Sequence, residues 1–475
     1  MPASDPYPSA AHNFIDAYAN TNYLLPLKGK DMERFYVNRG LHSELKTLMS
    51  ELEAGARTSP PNNTKFLFVG HTGCGKSTEL FRLANLIESG DDRTKFLRQS
   101  FLPIQYSVSE VVGLYNIEFV DIALSIILGI YKEMERLGYV VDDSPARRVY
   151  DWLYQNRPTT TPEIPISDSG IDFELGLGSL IRLIDVRLKS EGEVREGIRA
   201  RIRKYVPELI SLINQVIYEV STVTGKNILL IIDDLDKIQP LESALNIFRE
   251  HVKSLASFDC FAIFTAPISL LYDAASKHIG QFLEVHYMPM FRVRTKDGAA
   301  ESPDAPDVNT LREIIYRRVH PDLFEEGIIE AAIQMTGGIL RELIRVIRGC
   351  SVYCEEYGVS QITQNVLQFQ KNKLKSEYYR MLEHEDYKWL RRVKQTKSRA
   401  DVNMRHLESL CVLYYPNGKG WFDVHPVVTE LLQEWETEYK DIPLFEELKD
   451  PDQRISADPL NHSAHQLGPE GSSFY

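Results

Sequence analysis

The chain has 475 residues, 43% of them hydrophobic and 25% charged, and a formal net charge of −13. This length accommodates about two to four domains, and the composition excludes a disordered or fibrous class. The acidic balance excludes a surface that is basic throughout, and no apolar run approaches the roughly 18 residues of a membrane span.

Residues 1–30 carry no periodic pattern and read as an irregular segment. Met1-Pro2-Ala3-Ser4-Asp5 lacks the charge and apolar core of a signal peptide, so a cytoplasmic protein without a membrane partner is expected. Leu41, Leu45, Leu48 and Leu52 follow the spacing of an amphipathic helix. Ser59-Pro60-Pro61-Asn62-Asn63 then breaks the chain. Lys65-Phe66-Leu67-Phe68-Val69 reads as a buried strand running into Gly70-His71-Thr72-Gly73-Cys74-Gly75-Lys76-Ser77. That octet fits G-x-x-x-x-G-K-[ST] at every constrained position. Thr78 follows, and then Leu80, Leu83, Leu86 and Ile87 at helical spacing. In a strand, glycine loop and helix, successive backbone N–H groups and a helix N-terminus converge on an anion. Gly70, Gly73 and Gly75 keep Cβ atoms out of the wrapping backbone. Lys76 is expected at the β/γ-phosphates and Ser77 on Mg²⁺, so residues 70–78 are expected to bind a nucleoside triphosphate.

Leu102 to Val108 predicts a second strand, and Asn116 to Leu137 a helix with Ile117, Val120, Ala123, Leu124, Ile127, Leu128 and Tyr131 on its apolar side. Residues 139–225 interrupt the alternation as a helical insertion, with loop-like stretches at 158–162 and 164–170. Ser190 to Val220 predicts helix, with Pro207 at a start or a kink. The charges of alternating sign from Glu191 to Lys204 fit either a solvated helix face or a charged interaction surface.

Ile228-Leu229-Leu230-Ile231-Ile232 has the continuous apolar character of a strand inside a parallel sheet and ends in Asp233-Asp234-Leu235-Asp236. Carboxylates at the C-terminal edge of such a strand fall beside the phosphate loop. Asp233 is expected to orient the magnesium shell, Asp234 to polarise the attacking water, and Asp236 to assist. Phe261 to Pro267 predicts a strand that places Thr265 near the γ-phosphate; a threonine that ends a strand by its shape alone is the alternative. Glu284 to Phe291 reads as the last strand of this unit.

Lys371 to Arg405 carries eleven Lys/Arg against five Asp/Glu, interleaved with Tyr378, Tyr379, Tyr387 and Trp389. It fits a helix covering the core or a local nucleic-acid patch. His406 to Leu413 predicts helix or strand, Tyr414 to Phe422 a hairpin turning at Asn417-Gly418, and Val427 to Glu436 a helix. The five cysteines form no metal-ligand pattern, and Cys350 and Cys354 fit small buried residues of one helix.

The order of these motifs resembles an AAA+ ATPase core, in the branch holding STAND signalling ATPases and origin-recognition-like ATPases. Phe35-Tyr36-Val37-Asn38-Arg39 resembles the motif that precedes such cores, which implies adenine contacts from Val37 and Arg39. Asp233-Asp234-Leu235-Asp236 resembles the Walker B form of STAND-type proteins, and Thr265 occupies the sensor-1 position. Thr336-Gly337-Gly338-Ile339-Leu340-Arg341-Glu342-Leu343 is similar to the sensor-2 motif, which implies that Arg341 reaches the γ-phosphate from a lid. An exposed basic helix opened by a glycine pair is the alternative. The segment around Tyr415, Gly420, Trp421, His425 and Pro426 looks like the C-terminal part of bacterial ATPases of this kind.

Two departures stand out: the long insertion, and a stretch from Ile268 to Val285 without arginine, where such ATPases carry an arginine finger. The resemblance implies an α/β P-loop parallel sheet. The expected layout is a core over 31–306 with its insertion at 139–225, a helical lid over 307–370, and an accessory region over 371–450 for which a winged-helix-like unit is one reading. A disordered tail over 451–475 completes it. The expected function is an ATP- and Mg²⁺-dependent switch that hydrolyses ATP slowly and gates a protein partner, in bacterial defence or signalling, with homo-oligomerisation compatible. Asp234, Asp236, Thr265 and Arg341 are the expected catalytic residues. A DNA-binding initiator-like ATPase is the alternative. A sensor that binds without hydrolysing, or a fused nuclease or protease, is less consistent with the carboxylates and with the lack of a second reactive cluster.

Overall fold

The computed structural model describes residues 5–39, 44–89, 94–139, 147–149, 151–153, 177–189, 192–274, 276–416 and 420–438. Five strands form one parallel sheet: β1 (Lys65–Val69), β2 (Phe101–Ser107), β3 (Asn227–Asp233), β4 (Phe261–Ala266) and β5 (Glu284–Tyr287), in the order β2-β3-β4-β1-β5. All five residues of β1 are buried, as are the last six of β3. Such uninterrupted apolar runs suit strands covered on both faces. The second strand starts and ends one residue earlier than its apolar run suggests. The last strand stops at Tyr287, after which Met288 N–H donates to Val69 O (2.7 Å).

Register aligns the functional ends. Ser107 pairs with Asp233, and Phe68 with Thr265, so the loops after β1, β2, β3 and β4 leave the same edge of the sheet. The fold is that of a P-loop NTPase: β4 separates the phosphate-loop strand β1 from the carboxylate-bearing β3.

Several helices set the surroundings of that edge. They are α1 (Phe14–Asn20), α2 (Glu44–Ala56), α3 (Lys76–Ser89), α4 (Phe119–Leu137), α5 (Leu177–Leu188), α6 (Gly192–Ile202) and α7 (Val206–Thr224). The lid region adds α8 (Pro306–Tyr316), α9 (Ile328–Met335) and α10 (Leu340–Tyr357). Beyond it come α11 (Gln364–Met381), α12 (His384–Thr396), the antiparallel hairpin β6 (Val412–Tyr415) and β7 (Trp421–Val424), and α13 (Pro426–Glu438).

The N-terminal stretch expected to be irregular contains α1, capped by Asn13, with Phe14 and Ala17 buried. Sequence periodicity misses it because seven residues span only two helical turns. Leu45, Leu48 and Leu52 are buried on α2, as their spacing predicts, whereas Leu41 lies outside the described residues.

Of the insertion's alternating charges, Glu196 and Lys204 are exposed as a solvated face expects, whereas three arginines are committed within the chain. Arg199 is buried and pairs with Asp121 and with Glu118 (3.5 Å), Arg195 with Asp121 (3.3 Å), and Arg203 with Glu118. Glu118 and Asp121 form the capping box of α4, so cations from α6 close the N-terminus of the helix they pack on. Pro207 stands in the first turn of α7, a start rather than a kink. The loop-like stretches at 158–170, the hairpin turn at Asn417-Gly418 and the tail over 451–475 fall outside the described residues.

The basic stretch is largely committed internally. Lys371, Lys375 and Arg391 pair with Glu430, Glu434 and Glu436 on α13, while Lys394 and Lys397 pair with Asp423. Tyr378 and Tyr387 are buried, which removes them as stacking surface. The hairpin packs inward: Leu413, Tyr415 and Trp421 share one apolar cluster with α2, α3, β1 and Cys74 of the phosphate loop. All five cysteines are free and buried, Cys350 and Cys354 on α10 as expected. Among the described residues, no helix is long and apolar enough to cross a membrane.

Candidate nucleotide-binding site

The loop between β1 and α3 opens onto a cleft that is continuous with solvent at its mouth. Gly73, Cys74, Gly75, Lys76, Ser77 and Thr78 line it together with Val37, Arg39, Asp236 and Arg341. Gly70, His71, Thr72, Asp233, Asp234 and Thr265 are not among the residues that line it. Sequence-distant residues thus meet at one place because β1, β3 and the lid all deliver their loops to the same edge.

Lys76 is the first residue of α3 and is buried. Its Nζ donates to Gly70 O (2.7 Å) and His71 O (3.1 Å) and lies 2.8 Å from Asp236 Oδ2. Burial works against its charge, but the Asp236 carboxylate outweighs that and pushes its pKa up to about 12. The other Asp236 oxygen, Oδ1, is buried without a hydrogen-bond partner.

Asp233 is also buried; burial first, then the neighbouring Asp236 and Asp234, push its pKa up to about 6, against a hydrogen bond from the Ser77 hydroxyl. Oxygens of Asp233, Asp234 and Asp236 lie within 4.8 Å of one another. A buried cluster of carboxylates beside a hydroxyl is a hard, oxygen-only donor set, which fits Mg²⁺.

Asp234 departs from the expected geometry. Its backbone is left-handed (φ 69°), and its carboxylate accepts from Ser109 Oγ (2.8 Å), Ser107 Oγ and Lys237 Nζ. Burial raises its pKa, but those donors prevail and lower it. Three donors thus occupy the carboxylate expected to polarise the water. Thr265 is fully buried, and its Oγ accepts from Leu235 N–H (3.0 Å), tying the β4 end to the carboxylate loop.

Val37 and Arg39 reach the opposite wall. Arg39 donates to Cys74 O (3.2 Å) and Pro289 O (2.8 Å) and stacks over Phe291, 3.9 Å from its ring centre. Apolar Phe35, Met288, Phe291, Ile314 and Ile344 complete a wall suited to a flat base. Three contributors were not legible in the sequence. Residues 22–27 form a strap whose Leu27 N–H donates to Thr78 Oγ (3.3 Å), Arg318 is a buried cation in the wall, and Tyr36 bonds Glu79 (3.0 Å). Tyr36 stands in the motif that precedes the core, but its bond to Glu79, like the strap and Arg318, is brought in by the fold from separate elements.

The lid and the hairpin both touch the phosphate loop. Arg341 N–H donates to Gly73 O (3.1 Å), and a Cβ on Gly73 would stand 2.8 Å from Arg341 Cβ. Among the described residues the Arg341 guanidinium has no hydrogen-bond or ion-pair partner, although it lines the cleft. Gly338 is left-handed (φ 88°), and a Cβ there would stand 2.0 Å from Phe291 O. The glycine pair is therefore wedged by close approach. On the far side, Tyr414 N–H from β6 donates to His71 Nε2 (2.9 Å). His71 is fully buried, and burial, then Lys76, push its pKa down to about 3.

The segment where an arginine finger is expected is covered from within the chain. Ser269 N–H donates to Glu408 (2.9 Å), and Tyr272 packs edge-on against Tyr414 and Phe422.

No protein-family model and no curated protein matches the chain. Among solved structures it is similar to the Aeropyrum pernix ORC1 protein in complex with DNA, at 12% identity over 84% of this chain and 93% of that one, with a TM-score of 0.40. Drosophila ORC bound to DNA gives 12% identity over 94% and 90%, with a TM-score of 0.38. The Walker-type ATPase PABY2304 of Pyrococcus abyssi gives 13% over 86% and 99%, with a TM-score of 0.39. Sheet order and the phosphate loop, rather than these distant likenesses, carry the fold assignment.

Proposed function

We propose that this chain is an ATP-hydrolysing switch in which the nucleotide state of the phosphate loop is passed to the lid and the C-terminal hairpin, and through them to a partner protein. The carrying observation is that two residues of the loop, His71 and Gly73, accept hydrogen bonds from Tyr414 and Arg341 respectively. A ligand that reshapes the loop must change its fit to both elements, which is the differential interaction a switch requires.

Bound phosphates would draw Lys76 away from Asp236, and Arg341 would meet the γ-phosphate from the N-terminus of α10. Asp233 and Ser77 are the residues to hold Mg²⁺, which neutralises phosphate charge when bound. Asp234 would take the proton of the attacking water after leaving Ser107 and Ser109, so turnover is slow. Thr265 would keep the carboxylate loop in register.

Arg341→Ala tests this reading: ADP binding stays near that of the parent, ATP turnover drops, and any ATP-dependent compaction disappears. Small-angle scattering and protease protection with ATP and with ADP provide the readout. A parent that shows no nucleotide-dependent difference overturns the switch.

A second reading, a DNA-binding initiator-like ATPase, is favoured by Lys373, Tyr379 and Arg380. All three are exposed on α11 and stay out of the ion pairs that occupy its other cations. Salt-dependent DNA binding that falls in Lys373→Glu/Arg380→Glu would support it.

A further inference from the structure

Outside the nucleotide cleft, a second group of ligating side chains joins the N-terminal segment to the lid. Ala11 and Val319 form a parallel β-bridge, with Ala11 N–H donating to Arg318 O (3.0 Å) and His320 N–H to Ala11 O (2.9 Å). The bridge fixes both backbones and sets His12 beside His320. Their rings stack with centroids 4.2 Å apart and planes 30° from parallel. Both rings present Nε2 to one carboxylate: Asp5 Oδ2 is 3.7 Å from His12 Nε2, and Asp5 Oδ1 is 3.4 Å from His320 Nε2. Tyr7 N–H donates to Asp5 Oδ1 (2.8 Å); that bond, followed by the imidazoles, holds the Asp5 pKa below the usual carboxylate value.

We propose that Asp5, His12 and His320 bind one divalent transition-metal ion of the Zn²⁺ class and so clamp the N-terminal segment onto the lid. Donors about 2.0–2.2 Å from a tetrahedral ion lie about 3.3–3.5 Å from one another. The two separations here need to change by a few tenths of an ångström at most. The three ligand atoms all fall within 4.8 Å of one another. Two imidazoles and one carboxylate suit Zn²⁺ and its neighbours, whereas Mg²⁺ and Ca²⁺ take oxygen donors.

His320 has the support a ligating histidine needs. Its Nδ1 is 3.3 Å from Asp322 Oδ2 and 3.3 Å from Asp322 N. Without metal, Nδ1 accepts the Asp322 N–H and the proton sits on Nε2, facing Asp5. With metal, the proton moves to Nδ1 and is accepted by the Asp322 carboxylate, leaving the Nε2 lone pair for the ion. The ring therefore has a partner in either tautomer and needs no rotation.

The location gives the ion a lever. α1 begins two residues after His12, behind its cap Asn13, and lies along α10, where Arg348 donates to Tyr18 O (2.9 Å) and stacks over its ring at 3.5 Å. Residues 22–27, which follow α1, reach the cleft. A metal here would tie the segment to the helix that carries Arg341. The metal site stands whether or not the nucleotide reading holds.

The test uses the untagged full chain, stripped with chelator and titrated with Zn²⁺ by calorimetry in millimolar Mg²⁺. Co²⁺ absorption reports the coordination geometry. The parent should bind one equivalent at micromolar or lower Kd, and Zn²⁺ should raise its Tm. His12→Ala and His320→Ala should each weaken binding at least tenfold and lose the Tm rise, and Asp322→Asn should weaken it roughly tenfold. His12 is exposed, so the metal-free Tm of His12→Ala should match the parent, separating lost binding from lost folding. Asp236→Asn should leave Zn²⁺ binding intact. The proposal is overturned if the parent binds less than one equivalent at 1 mM Zn²⁺, if His12→Ala binds as tightly as the parent, or if Asp236→Asn alone abolishes binding.

Discussion

Lys76 and Asp236 form a buried ion pair, Nζ to Oδ2 2.8 Å, beside the loop proposed to receive phosphate. Asp236 does for the lysine charge what bound phosphates would do, and its second oxygen has no partner in this arrangement. On the proposed reading, nucleotide binding would be an exchange of anions around one lysine. Removing one member of a buried pair costs about 3 kcal/mol. Asp236→Asn should lower the stability of the free protein by about that much, and ATP should restore most of the loss because phosphate can pair Lys76. Lys76→Ala should bind ATP far more weakly than the parent in calorimetry; equal affinity would remove the phosphate-loop assignment.

Asp234 is expected to be unavailable while Ser107 and Ser109 hold it. Ser107→Ala/Ser109→Ala should leave Lys237 as the remaining side-chain donor to the carboxylate and raise ATP turnover several-fold, and Asp234→Asn should suppress turnover while keeping nucleotide. The steady-state rates of the three proteins decide this: a double variant no faster than the parent shows that the serines do not restrain the base.

His71 should give folding stability a distinct pH dependence. Its folded pKa is about 3 against an ordinary value of 6.5, so between these values the unfolded chain binds a proton that the folded chain refuses. The associated stability is complete above pH 6.5 and is lost as pH falls. Between pH 6.5 and pH 5 the loss from this one group is about 2 kcal/mol. His71→Gln offers Tyr414 N–H a non-titrating acceptor, so urea denaturation at the two pH values should show that share of the loss removed.

Gly338→Ala should be far more damaging than Gly327→Ala. Both positions are left-handed, but a Cβ at Gly327 meets nothing within 4 Å, whereas one at Gly338 stands 2.0 Å from Phe291 O. The first change carries only the backbone strain of about 1–2 kcal/mol; the second must also displace the lid from the cleft wall. Thermal unfolding should separate the two by several degrees, with ATP affinity falling only in Gly338→Ala.

By itself the sequence determined the parts whose chemistry is local. The octet at 70–77, the apolar strands before and after it, and the Asp233 cluster could be placed because strand periodicity, glycine turns and helix starts depend on neighbours a few residues away. The helices at 119–137 and 206–224 were legible for the same reason. Tertiary structure decided everything that depends on distance along the chain. It set the strand order that brings Ser107 beside Asp233, and it gave the Asp234 carboxylate to Ser107, Ser109 and Lys237. It placed α1 against α10, and it paired Lys371, Lys375, Arg391 and Lys394 with carboxylates of α13 and β7. Above all it buried the C-terminal hairpin behind His71, 343 residues from Tyr414 in sequence. Such contacts arise from apolar surfaces that must cover one another and buried polar groups that must find partners. Neither demand leaves a periodic trace in the segment that meets it.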